Sequence, residues 1–297
     1  MRILIAGDSG YLGTALRQRL ERDGHEVTGL TRQDPGDDQV RWDPSRAPLG
    51  VQVVENADVV VNLTGSSLLG IPHLPSYERR LFESRVATTR TLAEAIAGSD
   101  RKPAFLAGNG ISFYGDHGDE PIGEDGDSRG DALLTRVTRD WQAATEPAAA
   151  AGARTCILRT APVFGPGSMV ATTLRRVFRL GVGGRLGNGR QYFALVSAHD
   201  WVAAAARLAV DDALAGPVNL VAPDLPTNAE FTEALGRALR RPAIVPVPAP
   251  VIRLAAGPMA PELLSSVRAR PQVLLDAGFE FAHPDVDAVL GYAFSGP

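Results

Sequence analysis

Three glycines, Gly7, Gly10 and Gly13, stand at three-residue intervals in GDSGYLG near the start of the chain. The first permits a tight turn off a strand, the second lets backbone approach a ligand, and the third lets the following helix pack closely. Between an apolar run and a helix, such a turn is an anion site: the N–H groups at the helix N-terminus and the positive end of its dipole attract a pyrophosphate. No lysine is required, and this stretch has none. The chemistry indicated is dinucleotide binding. Asp8, Ser9, Tyr11 and Leu12 belong to the same turn and are placed with it on the cofactor side. A bare structural turn has the same spacing, so its position between strand and helix carries the reading.

Thr31 and Arg32 end the next strand pattern. An NAD site usually carries Asp or Glu there for the ribose 2'-hydroxyl, whereas a guanidinium suits a 2'-phosphate, which points to NADP(H). Asp34 lies slightly later and keeps NAD(H) open, and a solvated surface arginine is the plain alternative for Arg32. Asn62, Leu63, Thr64 and Gly65, reading NLTG, close a further strand where backbone passes near the adenosine and nicotinamide ribose, unless they are only a strand-ending turn. Gly108 and Asn109 open another loop at a strand's carboxyl end, the ligand side of a parallel sheet.

The elements that position these residues follow from periodicity. Arg2 to Ala6 is a short apolar run, Thr14 to Asp23 is an amphipathic helix with Ala15, Leu16 and Leu20 on one face, and His25 to Leu30 is a second strand. The unit is a right-handed βαβ crossover with parallel strands. Continuous apolar runs recur at Val59 to Leu63, Ala104 to Ala107 and Thr155 to Leu158, alternating with helical patterns at Ser84 to Ala97 and Asp131 to Ala151. That rhythm predicts an α/β fold, a Rossmann-type doubly wound parallel sheet. Beyond Phe164 the rhythm breaks into GPGSM, a helix from Val170 to Leu180 and the glycine-rich GVGGRLGNGRQ; a helix at Asp200 to Val210 and a strand at Pro217 to Val221 follow. The expected division is a cofactor-binding domain at 1–165, with 194–222 returning to it, and a small discontinuous C-terminal α+β substrate lobe at 166–193 and 223–297.

Composition excludes several classes. A formal net charge of -4 over 297 residues offers no basic field for nucleic acid or an anionic membrane. No stretch reaches the roughly 18 apolar residues of a membrane span, and no charged segment precedes the first strand, so the expected setting is the cytoplasm. The one cysteine, Cys156, reads as a buried small hydrophobe. His25, His73, His117, His199 and His283 are scattered without paired spacing, so no metal is expected, and no GxSxG elbow accompanies Ser66 and Ser67.

The GxxGxxG spacing resembles the short-chain dehydrogenase/reductase superfamily. With LTR, WDP, VNLTG, SRVATTRTL, FYGDHG, DWQAA, LRTAPVFG, LGNGRQ, SAHDWVAA, GPVNLVAP and LLSSVRARPQVLLDAGFEF, the chain resembles the atypical extended members known as epimerase-family proteins or sugar-nucleotide epimerases, nearly end to end. The resemblance implies an NADP-binding core, a small C-terminal lobe, and cofactor-side roles for Arg85 in SRVATTRTL and Arg159 in LRTAPVFG. A homodimer is open, since short-chain enzymes often pair.

The superfamily's catalytic Tyr and Lys, one helical turn apart, would fall near Leu134 and Thr138, and its strand-end serine at Asn109 or Gly110. Neither Leu134 nor Thr138 can donate and relay a proton as that pair does. The Arg-Trp and Lys expected before SRV are absent from PHLPSYERRLFESR. Tyr114, in a carboxyl-end loop, is the remaining catalytic candidate, set against a tyrosine packed under that loop; His117 reads as solvated. Gln191, Tyr192 and His199 are substrate-side candidates, with Asp200 as a helix cap. Two functions remain open. One is an NAD(P)-dependent epimerase or oxidoreductase acting on a small polar substrate such as a nucleotide sugar. The other is a non-catalytic NADP(H)-binding redox sensor or structural protein.

Overall fold

The computed structural model describes residues 1–68, 74–243 and 245–295, so His73 and Pro72 of the PHLPSYERRLFESR segment lie outside the described residues. The described strands are β1 (Arg2–Ala6), β2 (Glu26–Thr31), β3 (Gln39–Arg41), β4 (Val59–Asn62), β5 (Ala104–Gly110), β6 (Pro121–Ile122), β7 (Thr155–Thr160), β8 (Val163–Phe164), β9 (Val196–Ser197), β10 (Gly216–Leu220) and β11 (Arg268–Ala269). Seven form one sheet in the order β10-β7-β5-β4-β1-β2-β3. The run from β3 through β2, β1 and β4 to β5 pairs in parallel, as the continuous apolar strands predict. Every residue of β4 is buried, and all of β1 except Arg2. The doubly wound α/β expectation holds. Strand order reverses between β1 and β4, which places the carboxyl ends of those two strands at the switch point where α/β sheets hold their ligands.

Element bounds differ from the sequence reading in instructive places. The first helix is Tyr11–Arg22, three residues earlier than its apolar periodicity begins, because the glycine turn itself supplies the N-cap at Gly10. The helical pattern around SRVATTRTL is a helix at Pro75–Phe82, a π turn at Glu83–Ala87 and a helix at Thr88–Gly98. The pattern from Asp131 on divides into helices Leu133–Ala143 and Glu146–Ala150, the second opening on Pro147, whose missing N–H is harmless only in a first turn. Asp200 is not the cap of its helix, which spans Ala198–Val210. Ser197 is, its Oγ accepting the Asp200 N–H at 2.9 Å.

The chain separates into two compact units. One comprises Met1–Asn109, Val137–Leu158 and Val202–Pro217; the other comprises Gly110–Arg136, Arg159–Trp201 and Val218–Pro297. The cuts at 109/110, 158/159 and 217/218 fall within β5, β7 and β10, and those at 136/137 and 201/202 fall within the helices Leu133–Ala143 and Ala198–Val210. In the first unit a core of Leu4, Leu30, Val60, Leu92, Ile96 and Phe105 surrounds the parallel strands. Cys156 is fully buried there, its Sγ donating to the Leu214 carbonyl oxygen at 3.2 Å, and burial pushes the thiol up. It is the inert small residue the sequence suggested. The second unit has its own aromatic core, with Phe164 and Phe231 edge to face at 5.7 Å. Among the described residues no helix is long and apolar enough to cross a membrane.

The switch point depends on backbone meeting backbone. A Cβ on Gly13 would lie 2.0 Å from the Gly7 carbonyl oxygen, which cannot move without dismantling the turn. We expect Gly13→Ala to lower the unfolding free energy by about 1–3 kcal/mol. The measurement is the urea midpoint at unchanged slope; an unmoved midpoint would show that the turn yields.

Candidate functional site

The glycine turn is built as its spacing requires. Gly7 has φ +90°, a left-handed conformation that glycine adopts without strain, and a Cβ there would come within 3.0 Å of the Leu63 carbonyl carbon and oxygen. The loops leaving β1 and β4 therefore touch through main chain alone. Gly10 N–H donates back to Gly7 O at 3.1 Å. The helix that follows has no side-chain cap and no acidic residue in its first turn, while Arg19 and Arg22 occupy its last turn. Its positive end is left for an external anion.

Asp8 has a different task from the one its position suggested. The carboxylate is buried and pairs with Arg17 at 2.9 Å, and Arg17 also grips Asp38 and Glu21. It sits against Gly29 in β2, where a Cβ would be 2.0 Å from Asp8 Oδ2. Asp8 thus fixes the turn to β2 and is a positioning residue. A glycine inside a strand signals such an approach, and Gly29 is that signal.

The Asn62 to Gly65 exit is wired from beneath. Asn62 is fully buried; its Nδ2 donates to Thr89 Oγ1 at 2.8 Å, and its Oδ1 accepts from Thr64 N at 3.1 Å and Thr64 Oγ1 at 2.6 Å. Trp141 Nε1 donates to the same Thr89 hydroxyl at 2.7 Å. Gly108 lies so near that a Cβ would be 2.9 Å from Asn62 O. Beside Gly65 sits the Arg85 guanidinium, held by Ser66 O at 2.9 Å and by Leu81 O and Ser84 Oγ at 3.3 Å, and lying 5.4 Å from the Trp141 ring. Burial depresses its basicity, and its hydrogen bonds among the described residues go to carbonyl and hydroxyl oxygens. Arg85 belongs to the π turn, an irregularity frequent at functional positions.

At the end of β2, Thr31 Oγ1 accepts the Gln33 N–H at 3.2 Å and Arg32 is exposed. Arg32 shares a surface cavity of about 420 Å³ with Arg41, Arg46, Trp42 and Asp43. Asp34 is turned to Arg41 at 3.2 Å. Three arginines thus line the cavity at Arg32, with Arg41 paired to Asp34 and Arg46 to Asp43 at 3.3 Å.

The positions that would hold the superfamily's acid/base group are closed. Asn109 is buried and its Nδ2 donates to the Thr138 carbonyl at 3.1 Å; Leu134 and Thr138 are buried too. Tyr114, the catalytic candidate of the sequence, is packed under its loop. It is 0% exposed, Arg159 Nη1 donates to its hydroxyl at 2.7 Å, and Asn219 Oδ1 and Gly123 O lie at 2.9 and 3.0 Å as acceptors. Burial pushes its phenol up, against the opposing pull of Arg159. Arg159, expected on the cofactor, is buried over the Phe113 ring at 3.8 Å and holds Glu124 O at 2.9 Å. His117 is buried rather than solvated, with Nε2 at 3.2 Å from Asp127 O. Gln191 is buried, its Nε2 donating to Leu186 O and Leu263 O at 3.1 and 3.2 Å, while Tyr192 stacks under Arg268 at 4.8 Å.

Two features had no sequence signal. Ser112 Oγ donates to Glu262 Oε2 at 2.5 Å, and burial pushes that carboxyl up. The histidines are not all scattered: His199, Asp200 and His283 each present a ligand atom within 4.8 Å of the others. That departs from the expectation of no metal cluster, and its cause is tertiary, the 282–283 loop folding onto the Ser197 to Asp200 turn.

Comparison with known proteins accounts for this plan. The NAD dependent epimerase/dehydratase family model matches residues 3–220, and a domain of unknown function, DUF1731, matches 247–293. An epimerase family protein of Mycobacterium bovis is 35% identical over 99% of this chain and 98% of its own length. Epimerase family protein SDR39U1 of Homo sapiens is 31% identical, over 98% of each chain. Among solved structures, human SDR39U1 with NADPH superposes with TM-score 0.88 at 29% identity, covering 100% of both chains. A nucleoside-diphosphate sugar epimerase from Corynebacterium glutamicum gives TM-score 0.80 at 30% identity, covering 99% of this chain and 58% of its own. The chain belongs to the NAD dependent epimerase/dehydratase family, as an atypical extended short-chain dehydrogenase/reductase.

Proposed function

We propose that the chain binds NADP(H) in preference to NAD(H) at the switch point between β1 and β4, and uses it as an epimerase or oxidoreductase on a small polar substrate such as a nucleotide sugar. The observation that carries the cofactor half is the pairing of an uncapped helix N-terminus behind Gly7, Gly10 and Gly13 with the three-arginine cavity at Arg32. Backbone N–H groups of the turn hold the pyrophosphate, Arg32 with Arg41 and Arg46 holds the 2'-phosphate, and Asn62 with Thr64 fixes the loop that passes the riboses. Arg85, a desolvated cation with neutral partners only, gains most from a phosphate charge nearby. A solved relative with NADPH supports this assignment. When bound, the nicotinamide supplies the hydride chemistry, and residues 166–193 and 223–297 form the substrate side.

A second reading, a protein that holds NADP(H) without turnover, is favoured by one observation: Asn109, Thr138 and Tyr114 are buried and engaged with protein partners.

The cofactor assignment is tested by Arg32→Glu. NADPH affinity should fall about tenfold or more, the equivalent of ~1.4 kcal/mol, with NADH affinity little changed. Equal losses for both, or none, would remove the 2'-phosphate from Arg32. The two functional readings separate on hydride exchange between NADPH and a panel of nucleotide sugars and simple carbonyls. Turnover that survives Tyr114→Phe is the expected outcome, alongside a stability loss of about 1–3 kcal/mol from the stranded Arg159 and Asn219 partners. Turnover by no substrate favours the cofactor holder, and turnover abolished in a folded Tyr114→Phe protein would return that residue to catalysis.

A further inference from the structure

The cluster of His199, Asp200 and His283 has no part in the proposed cofactor chemistry, and its construction is that of a ligand set. Asp200 is 1% exposed, and its carboxylate is oriented from several sides. Oδ1 accepts the Ala282 N–H at 2.9 Å; Oδ2 accepts the His283 N–H and the Ser197 hydroxyl, each at 2.9 Å. Two imidazoles converge on this fixed carboxylate. His199 Nδ1 lies 3.3 Å from Oδ1, and His283 Nδ1 lies 3.4 Å from Oδ2 and 3.0 Å from Ser197 Oγ. The His283 ring is held by Tyr292 at 4.6 Å between centroids, and the His199 ring stands nearly perpendicular to it at 5.5 Å. One ligand atom from each residue falls within 4.8 Å of the other two.

We propose that His199, Asp200 and His283 bind a first-row divalent cation, Zn²⁺ in particular. Two imidazole nitrogens and one carboxylate oxygen are a donor set that Zn²⁺ takes with an open position for water. The side chain of His199 is 54% exposed, so solvent reaches the open position past it, and its Nδ1 already lies 3.3 Å from the carboxylate. Asp200 and His283 arrive already placed. Ser197 and the Ala282 and His283 amides supply the outer contacts that fix a ligating carboxylate. The cation would clip the start of the Ala198–Val210 helix to the segment preceding the Val286–Phe294 helix. Binding that requires this juxtaposition stabilises the folded chain by mass action.

The test is titration of untagged, metal-stripped full-length protein with Zn²⁺ by calorimetry, with Co²⁺ as a visible probe. The expected result is saturable binding of about one equivalent per chain with nitrogen-type d–d bands for Co²⁺, and a thermal midpoint that rises with Zn²⁺. His199→Ala and His283→Ala should each abolish the saturable phase and the midpoint shift. Ser197→Ala should weaken binding by about 10- to 100-fold. His199 is exposed, so His199→Ala is judged on a folded protein even if His283→Ala fails to fold. No saturable binding by the parent chain, or parent-like Zn²⁺ affinity in the His199→Ala protein, overturns the site.

Discussion

Main chain must touch main chain where the loops leaving β1 and β4 meet, and the site rests on that single steric demand. Gly7 lies against Leu63 and Thr64, and Gly13 lies against Gly7 and Asp8, at separations that exclude any side chain. The same closeness that forbids a Cβ exposes peptide N–H groups, which is why an anion-binding surface and a fragile packing contact are one feature. Around it the protein adds fixed charges of both signs. Asp8 and Arg17 secure the turn from inside, while Arg32, Arg41 and Arg46 line a cavity at the surface.

The two compact units differ in what the side chains at their strand ends and loops do. In the first, side chains at the strand ends are small or amide, and they organise backbone: Asn62, Thr64, Gly108, Asn109. In the second, the loop after β5 is filled with aromatic and ionic contacts that terminate inside the protein. Tyr114, Arg159, Asn219 and Glu124 form a closed set, with Glu124 accepting the Asn219, Gln272 and Val273 amide N–H groups at 3.1 to 3.3 Å. A phenol enclosed in that way stabilises a loop.

What the sequence revealed was local. Continuous apolar runs at Val59 to Val61 and Ile3 to Ile5 announce strands covered on both faces, and three glycines at a strand-to-helix junction announce the turn. What it hid depends on distant partners. Nothing near Tyr114 foretells Asn219 or Arg159, nothing near His117 foretells its burial, and His199 and His283 meet only because the chain returns. Position within a motif also misled: Asp8 lies in the glycine turn yet serves β2, and Asp200 starts a helix whose cap is Ser197. Charged and polar side chains inside a fold are placed by tertiary geometry, which periodicity does not encode.

The π turn at Glu83–Ala87 has a consequence for how this region can change. A wide turn places one residue more than a regular helix needs between the Pro75–Phe82 and Thr88–Gly98 segments. Loss of a single residue there would heal the helix with its two segments in nearly the same phase, since the wide turn is what absorbs the extra residue, but it would take away the turn that carries Arg85. Arg85, which braces Gly65, lies within that turn, and Thr89, which anchors Asn62 and Trp141, lies just beyond it. The turn and the residues at 85 and 89 are therefore constrained together, because one short stretch of chain supports the floor of the β4 exit and holds the cation at its rim.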